Sequence, residues 1–496
     1  MDQDFVDVLI VGAGISGIGA AYYLQRDHPG RSYAILEARG ASGGTWDLFR
    51  YPGIRSDSDL HTFGYEFRPW RSDTALADGA SILAYLRETA AEYGIDRHVR
   101  YHAKVVAADW SDADGSAAGA RWTVGVENTE TGERYTVGCR WLLCAAGYYR
   151  YDEGFSPRFD GRERFRGPVI HPQQWPAGLD YAGQRVVVIG SGATAVTLVP
   201  ALAATAGHVT MLQRTPSYVL PVPTRDKLNA RLTRLLGFER GYRATRWLNA
   251  NRQVALWRIS QRWPRAARKL IRDLNVKLLP AGFPVDEHFN PPYDPWDQRM
   301  CMVPDGDLFR AIGDGKASVV TGLIETFTED GVLLADGRAV PADVIVTATG
   351  LNVQPVGGMT LTVDGTPVRA PERLVYKGMM LSGVPNFLFI FGYTNASWTL
   401  KVGLVCENFT RLLRHMDARG YATARPVVGD PAMPTRAFTE FASGYITRAL
   451  DQLPRQGSRA PWRISPTYRA DVKLLRRAPV DDPELRFAPG TAAARS

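Results

Sequence analysis

The chain has 496 residues, 45% hydrophobic and 22% charged, with a net charge of +8. That length and balance predict a globular protein of more than one domain, and no apolar run reaches the roughly 20 residues that a membrane-spanning helix needs. Four cysteines, Cys139, Cys144, Cys301 and Cys406, argue against a disulfide framework and for a reducing cytoplasm. The acidic start Met1-Asp2-Gln3-Asp4 runs straight into an apolar stretch and argues against a secretory leader.

Residues 5–11 are nearly all apolar, the pattern of a strand buried on both faces of a parallel sheet. Gly12-Ala13-Gly14-Ile15-Ser16-Gly17 follows, then a helical pattern over 18–24 and a second strand over 33–36 that ends at Glu37. Strand, glycine turn, helix and acid together read as a dinucleotide cradle: Gly12 and Gly14 let the backbone approach a pyrophosphate, and the helix start supplies free N–H groups. Glu37 suits a ribose diol and repels a 2′-phosphate, so this site wants FAD or NAD. The paired Gly43-Gly44 beyond it allow a second close approach to an extended cofactor and favour FAD.

A charged loop, Arg50 to Asp57, comes next and should lie near that cofactor. Residues 81–93 read as a helix with Ile82, Tyr85, Leu86 and Tyr93 on one face. Residues 99–142 alternate with period two and read as a small antiparallel sheet with turns at 112–119 and 130–132. Residues 141–147 form a strand returning to the first nucleotide site. Cys139 and Cys144 have the spacing of a redox pair, but on a strand they point to opposite faces about 16 Å apart, beyond the roughly 7 Å limit of a disulfide. They read as packing residues.

Between two glycine turns lies Phe165-Arg166-Gly167-Pro168-Val169-Ile170-His171-Pro172-Gln173-Gln174-Trp175-Pro176. Alone it is a proline-rich connector; between two nucleotide sites it looks like a link through which one bound cofactor reports to the other. Residues 185–189 then form a buried strand leading into Gly190-Ser191-Gly192-Ala193-Thr194-Ala195, a second cradle, and 209–212 form the strand after its helix. Where an NAD site carries an acid, this chain has Gln213-Arg214-Thr215. Arg214 suits a 2′-phosphate, so the second site reads as NADP.

Residues 225–277 carry fifteen basic side chains against three acids, a net +12 that leaves the rest of the chain negative. Leu228, Leu232, Leu235 and Leu236, then Ala267, Leu270, Ile271, Leu274 and Leu278, keep helical spacing. The favoured reading is a set of helices over the active-site cleft with a solvated basic face; contact with a membrane surface is the alternative, and no nucleic-acid motif accompanies the charge. Tyr293 to Arg299 form a rigid aromatic loop with one arginine. A strand at 319–321, a hairpin around Asp336-Gly337 and a strand over 344–350 complete the second domain. A strand at 388–391 and the run Gly392 to Trp398 return to the first. The tail beyond Gly457 reads as a surface wrap, with disorder from Gly490 to the end.

The two glycine cradles and the spacing F-x-G-x-x-x-H-x-x-x-W-P on Phe165, Gly167, His171, Trp175 and Pro176 resemble type I Baeyer–Villiger monooxygenases. The runs Gly43 to Gly53, His171 to Gln173, Pro295 to Arg299 and Tyr393 to Trp398 are similar to a mycobacterial subgroup linked to thioamide prodrug activation. The resemblance implies an α/β fold of two Rossmann-like domains, for FAD and NADP, with an inserted helical subdomain. Its domain plan is an FAD domain over 1–150 and 351–496 (the tail included), a linker and NADP domain over 151–220 and 291–350, and the basic insertion over 221–290. It implies conversion of ketones to esters or lactones with NADPH and oxygen, by way of a peroxide at the flavin C4a, and also sulfide or thioamide oxidation. A dedicated S- or N-oxygenase and a non-oxygenating NADPH-flavin reductase are the alternatives.

Residue by residue, the resemblance assigns cofactor binding to Gly12, Gly14, Ser16, Gly17, Glu37, Gly44, Thr45, Trp46, Asp47, Leu48, Arg55, Ser56, Asp57 and Val105. On the NADPH side it adds Gly190, Ser191, Gly192, Ala193, Thr194, Ala195, Val196, Arg214 and Thr215. Arg299 is assigned to stabilising the oxyanion, with Asp57 orienting it or the nicotinamide amide. Phe165, Gly167, His171 and Trp175 are assigned to domain coupling, His171 being equally readable as a structural histidine. No metal is expected. The partners are a small apolar substrate and oxygen, and the location is the cytoplasm, with a membrane surface as a further contact.

Overall fold

A computed structural model describes residues 4–72, 74–112, 119–298, 300–393, 396–439 and 443–490. Two sheets organise it, one mixed and one parallel, each built around one of the apolar strands of the glycine cradles. In the first, Val99–Arg100, Tyr33–Leu36, Phe5–Val11 and Arg134–Cys144 lie side by side in parallel, and Phe387–Phe389 pairs parallel to Arg134–Cys144. Arg121–Asn128 and Ala103–Ser111 continue from the same strand as an antiparallel meander, which Thr360–Val363 extends. The antiparallel strands expected as a separate small sheet are therefore fused into one sheet of nine strands. The reason is the length of Arg134–Cys144: eleven residues are long enough to pair with Phe5–Val11 and with the meander at once. The expected turn at 112–119 lies largely outside the described residues.

Cys139 and Cys144 both sit on that strand, free and buried. They do not face opposite sides. Val137, Cys139, Leu142 and Cys144 belong to one apolar cluster while Trp141 and Leu143 belong to the other, so the in–out alternation changes phase after Cys139. Burial raises both thiols, that of Cys144 to about 11.

The second sheet is all parallel, in the order Ala317–Thr321, His208–Gln213, Arg185–Ile189, Val344–Thr347, Val169–Ile170. In both sheets the strand before the glycine turn has its sequence successor on one side and a much later strand on the other. Ligand crevices open at the carboxyl end of such a switch point, and the helices Ile15–Asp27 and Ala193–Leu202 start there. The connections between the domains, Tyr149–Gly154 and Leu351–Val353, pair antiparallel with each other.

Val219–Val222 and Cys301–Pro304 pair at the base of the insertion. Its helices are Lys227–Leu236, Phe238–Arg262 and Pro264–Leu278. Asp226 caps the first by accepting from the N–H groups of Leu228 and Asn229, both at 3.0 Å. Gly237, at φ 76°, separates the first two helices, and Pro264 opens the third. The insertion grips the first domain. Arg246, 8% exposed, donates to the carbonyls of His61, Thr62 and Gly64, and Asn249 donates to Asp59 and Asp226. No residue of 225–278 lines the nucleotide cleft, so these helices do not form its cover.

The tail is more than a surface wrap. Trp462 and Leu475 are fully buried in the core of the first domain, and Leu485–Pro489 pairs with Tyr421–Pro426. Residues 491–496 lie outside the described part. No described helix is long and apolar enough to cross a membrane.

Candidate active site

The first glycine turn and the start of the helix after the second open into one cleft of about 530 Å³. On the first-domain side Gly12, Gly14, Ser16, Glu37, Gly44, Thr45, Trp46, Arg55, Ser56, Asp57 and Val105 line it; on the other side Ala193, Thr194 and Val196 do. Gly17 works from beneath: a Cβ there would stand 1.9 Å from the Gly12 carbonyl oxygen, so only glycine lets the helix start this close to the turn. Gly44, at φ 56°, faces Gly14, and a Cβ on Gly44 would lie 3.1 Å from the Gly14 Cα. Both glycines line the cleft, so the bare backbone there leaves room for an extended dinucleotide, and this cradle fits FAD.

Glu37 is 6% exposed. Its carboxylate accepts from the N–H groups of Ala13 (2.8 Å) and Arg39 (3.1 Å), and burial, opposed by these bonds, raises its pKa. The acid is thus held in place at the cleft wall, where a ribose diol can donate to it. Asp47 and Leu48 are off the wall. Asp47, 2% exposed, receives Arg39, Arg87 and Arg50 at 2.5, 2.7 and 3.4 Å, and Leu48 packs against the second domain's apolar cluster. The short helix Thr45–Leu48 accounts for this, because its first residues face the cleft and its last ones face away. Thr45 Oγ1 and the Tyr151 hydroxyl are 3.1 Å apart, and burial lifts that phenol to about 12.

On the second side Gly192 caps the helix Ala193–Leu202, whose first turn offers unpaired backbone N–H groups to an anion. Gly190, Ser191 and Ala195 shape the turn without lining the cleft; the Ser191 hydroxyl donates to the Thr215 carbonyl at 2.9 Å. Arg214 is exposed just past the strand His208–Gln213, with no ion pair to a described residue, while Gln213 is buried and donates to the His288 carbonyl. A cation without an acid beside it suits a 2′-phosphate, so this cradle fits NADP.

The loop 50–57 ties the domains together across the cleft, and Tyr51 packs in the second domain's apolar cluster. Arg55 pairs with Asp307 at 2.5 and 3.4 Å, so its charge is already engaged across the domain boundary. Gly53 rests on the second domain's helix, where a Cβ would lie 2.9 Å from the Thr197 carbonyl oxygen. Asp57 lines the cleft, and its charge adds to the burial that lifts the Tyr51 phenol to about 12. Arg299 lies outside the described residues; Met302, three positions on, lines the cleft.

His171 sits where the domain connections cross. Its Nε2–H donates to the Gly350 carbonyl at 3.0 Å, and its Nδ1 accepts the Gln173 N–H at 3.2 Å. The ring occupies the space beside Gly154, where a Cβ would fall 2.0 Å from it. One neutral side chain therefore touches both connecting strands or their ends, and burial lowers its pKa. Gln173 reinforces it by donating to the carbonyls of Arg150 and Tyr151 at 2.8 and 2.9 Å. Phe165 and Trp175 pack within the second domain, against Phe327 and Tyr181, and Gly167 lets the chain pass Asp343, where a Cβ would sit 2.1 Å from the carbonyl oxygen.

The aromatic wall was not read from the sequence as a site. Tyr148 stacks on Trp398 at 5.4 Å, Phe391 leans on the same indole, and the Trp398 Nε1–H donates to Ser16 Oγ at 2.8 Å. Ser16 thereby anchors the wall as well as the turn. The available signal was the Tyr148-Tyr149 pair directly after the strand that returns to the first cradle.

Two open α/β sheets, a glycine cradle on each and one shared cleft define a two-dinucleotide flavoprotein oxidoreductase. The chain belongs to the flavin-binding monooxygenase-like family, whose model matches residues 74–355; an NAD(P)-binding Rossmann-like domain model matches residues 10–72. It is an FAD-dependent monooxygenase, with FAD and NADP as its cofactors. It is 55% identical over 488 residues to the FAD-containing monooxygenase EthA of Mycobacterium tuberculosis, covering 98% of each chain. Its fold matches an oxidised steroid monooxygenase bound to NADP (TM-score 0.74, 22% identity) and an open cyclohexanone monooxygenase (TM-score 0.76, 20% identity), in each case over 98% of this chain and 100% of the other.

Proposed function

We propose that this monooxygenase uses NADPH and molecular oxygen to convert small apolar ketones into esters or lactones, and that the same site oxidises sulfides and thioamides. The observation that carries this reading is the cleft that both domains share, walled by Glu37 and Gly44 on one domain, by Ala193, Thr194 and Thr197 on the other, and by Tyr148 and Trp398. Bound flavin supplies the oxygen activation. The chain's own residues bind, orient and exclude water. The first turn of Ala193–Leu202 holds a pyrophosphate, and Arg214 supplies the cation for a 2′-phosphate. Tyr148, Tyr149 and Trp398 keep water from the reacting end, which favours oxygen transfer over wasteful release of hydrogen peroxide.

Arg299 is assigned the positive charge beside the oxyanion that forms when a ketone carbonyl is attacked, because a guanidinium stays protonated throughout. Asp57 is assigned its orientation. His171, held neutral, is assigned the coupling of the two cofactor domains and no proton transfer. Heteroatom oxidation is supported by the similarity of the runs ending in Arg299 and Trp398 to the thioamide-linked subgroup. Incubation with NADPH and isotopically heavy oxygen, over a panel of ketones, sulfides and thioamides, is the test. Products carrying one heavy oxygen atom are expected. NADPH oxidation without an oxygenated product on every member of the panel would reduce the protein to a flavin reductase.

A further inference from the structure

Of the fourteen exposed large hydrophobic side chains among the described residues, nine lie on the three helices of the insertion and a tenth, Trp263, caps the second and third. They are arranged rather than scattered. On Lys227–Leu236, Leu228 and Leu235 are exposed at 40% and 78% with half-buried Leu232 between them, one stripe at i, i+4 and i+7 that faces solvent. On Phe238–Arg262 and its cap, Leu256, Ile259 and Trp263 repeat the device at i, i+3 and i+7, exposed at 51%, 49% and 55%. A helix that packs only on its own protein turns such a stripe inward. Here the inward faces mix Tyr242, Ala250, Val254 and Ile271 with polar groups and bury no leucine of these stripes: Tyr242, Arg246 and Asn249 fasten the insertion to the first domain, and Asn229 and Thr245 bond each other between its first two helices.

Lys227, Arg231 and Arg234 are exposed along the first stripe, and Arg252, Arg258 and Arg262 along the second. Leucine and tryptophan on one face with arginine and lysine beside it is the composition of a helix lying in a membrane interface. The charge selects among occupants. A second copy would bring another +12 segment against the first, and like charges would oppose each other. A nucleic acid would satisfy the charge and leave the leucine stripes in water. A bilayer with anionic headgroups answers both features.

We propose that the helical insertion is a docking face for an anionic lipid surface, with the leucine and Trp263 stripes entering the headgroup boundary and the flanking arginines meeting the lipid phosphates. The test is flotation of the full-length, FAD-loaded enzyme with vesicles of phosphatidylcholine alone or mixed equally with phosphatidylglycerol, at low and high salt. Binding is expected only with phosphatidylglycerol, and it should weaken with salt. The triple substitution Leu235→Asn, Ile259→Asn and Trp263→Ala leaves the charge unchanged. It should cut vesicle binding by at least about tenfold while FAD content and flavin reduction by NADPH stay as in the wild type.

Failure of the wild type to float with phosphatidylglycerol vesicles at low salt overturns the proposal. So does undiminished binding by the triple variant, which would reduce the contact to nonspecific charge adsorption. Self-association without vesicles that the triple variant abolishes, alongside no flotation, would assign the face to a second copy. Binding of duplex DNA that competes with the vesicles and is equally weakened in the triple variant would also count against a lipid surface.

Discussion

Replacing His171 with alanine tests whether the histidine couples the domains. The substitution leaves the Gly350 carbonyl without its donor and the Gln173 N–H without its acceptor, bonds of 3.0 and 3.2 Å in the wild type. Each unsatisfied buried group costs roughly 1–3 kcal/mol, so the local arrangement loses about 2–6 kcal/mol, less whatever water recovers in the vacated space. That loss falls on the ends of both interdomain strands. The FAD cradle is built from other elements: Gly12, Gly14, Glu37 and Gly44 line the cleft and His171 does not. The expected phenotype is therefore divided. FAD stays bound, while flavin reduction by NADPH slows and the NADPH KM rises.

Stopped-flow reduction and flavin content, measured on one preparation, separate the two effects. Hydrogen exchange of peptides covering 149–154 and 348–353 should rise in the variant. His171→Gln, whose amide can still donate to Gly350, should recover part of the rate. If His171→Ala is reduced by NADPH at the wild-type rate with unchanged exchange in those peptides, the histidine is only packing and the coupling argument fails.

Arg214→Ala should lower the preference for NADPH over NADH by roughly tenfold, the lower end of a charge-assisted bond because the arginine is exposed; equal catalytic efficiency with both cofactors in the wild type would contradict the NADP assignment. Arg299→Ala should keep FAD and its reduction by NADPH but lose ketone oxygenation about a hundredfold, with hydrogen peroxide released instead; wild-type ester yield from the variant would remove Arg299 from the site. His171 and His288 both have pKa values lowered by burial, so the unfolded chain binds more protons than the folded one just below the ordinary histidine value near 6.5. Their contribution to stability is complete above that pH and lost as pH falls toward the folded values. Thermal melts from pH 8 to 5 should show the loss, and His171→Gln should flatten it.

What the sequence determined by itself is local. The two glycine turns, the acid at Glu37, its absence at Gln213-Arg214 and the helical period of the basic segment are read over spans of a few to about thirty residues, because turn geometry, helix termini and side-chain period are set by neighbours along the chain. The cofactor types and the α/β plan followed from them. Tertiary structure alone decided which walls meet. Ser16 and Trp398 are 382 positions apart, and Arg55 and Asp307 are 252 apart, yet both pairs shape the cleft. A helical period marks which face is apolar and not what that face is turned toward; the insertion fastened itself through Tyr242, Arg246 and Asn249 and left Leu228, Leu235 and Leu256 exposed. Asp47 was drawn off the cleft by three arginines, and Cys139 and Cys144 were brought to one cluster by a change of phase in a long strand. Each of these outcomes depends on packing between segments far apart in sequence, where period and composition carry no record of the partner.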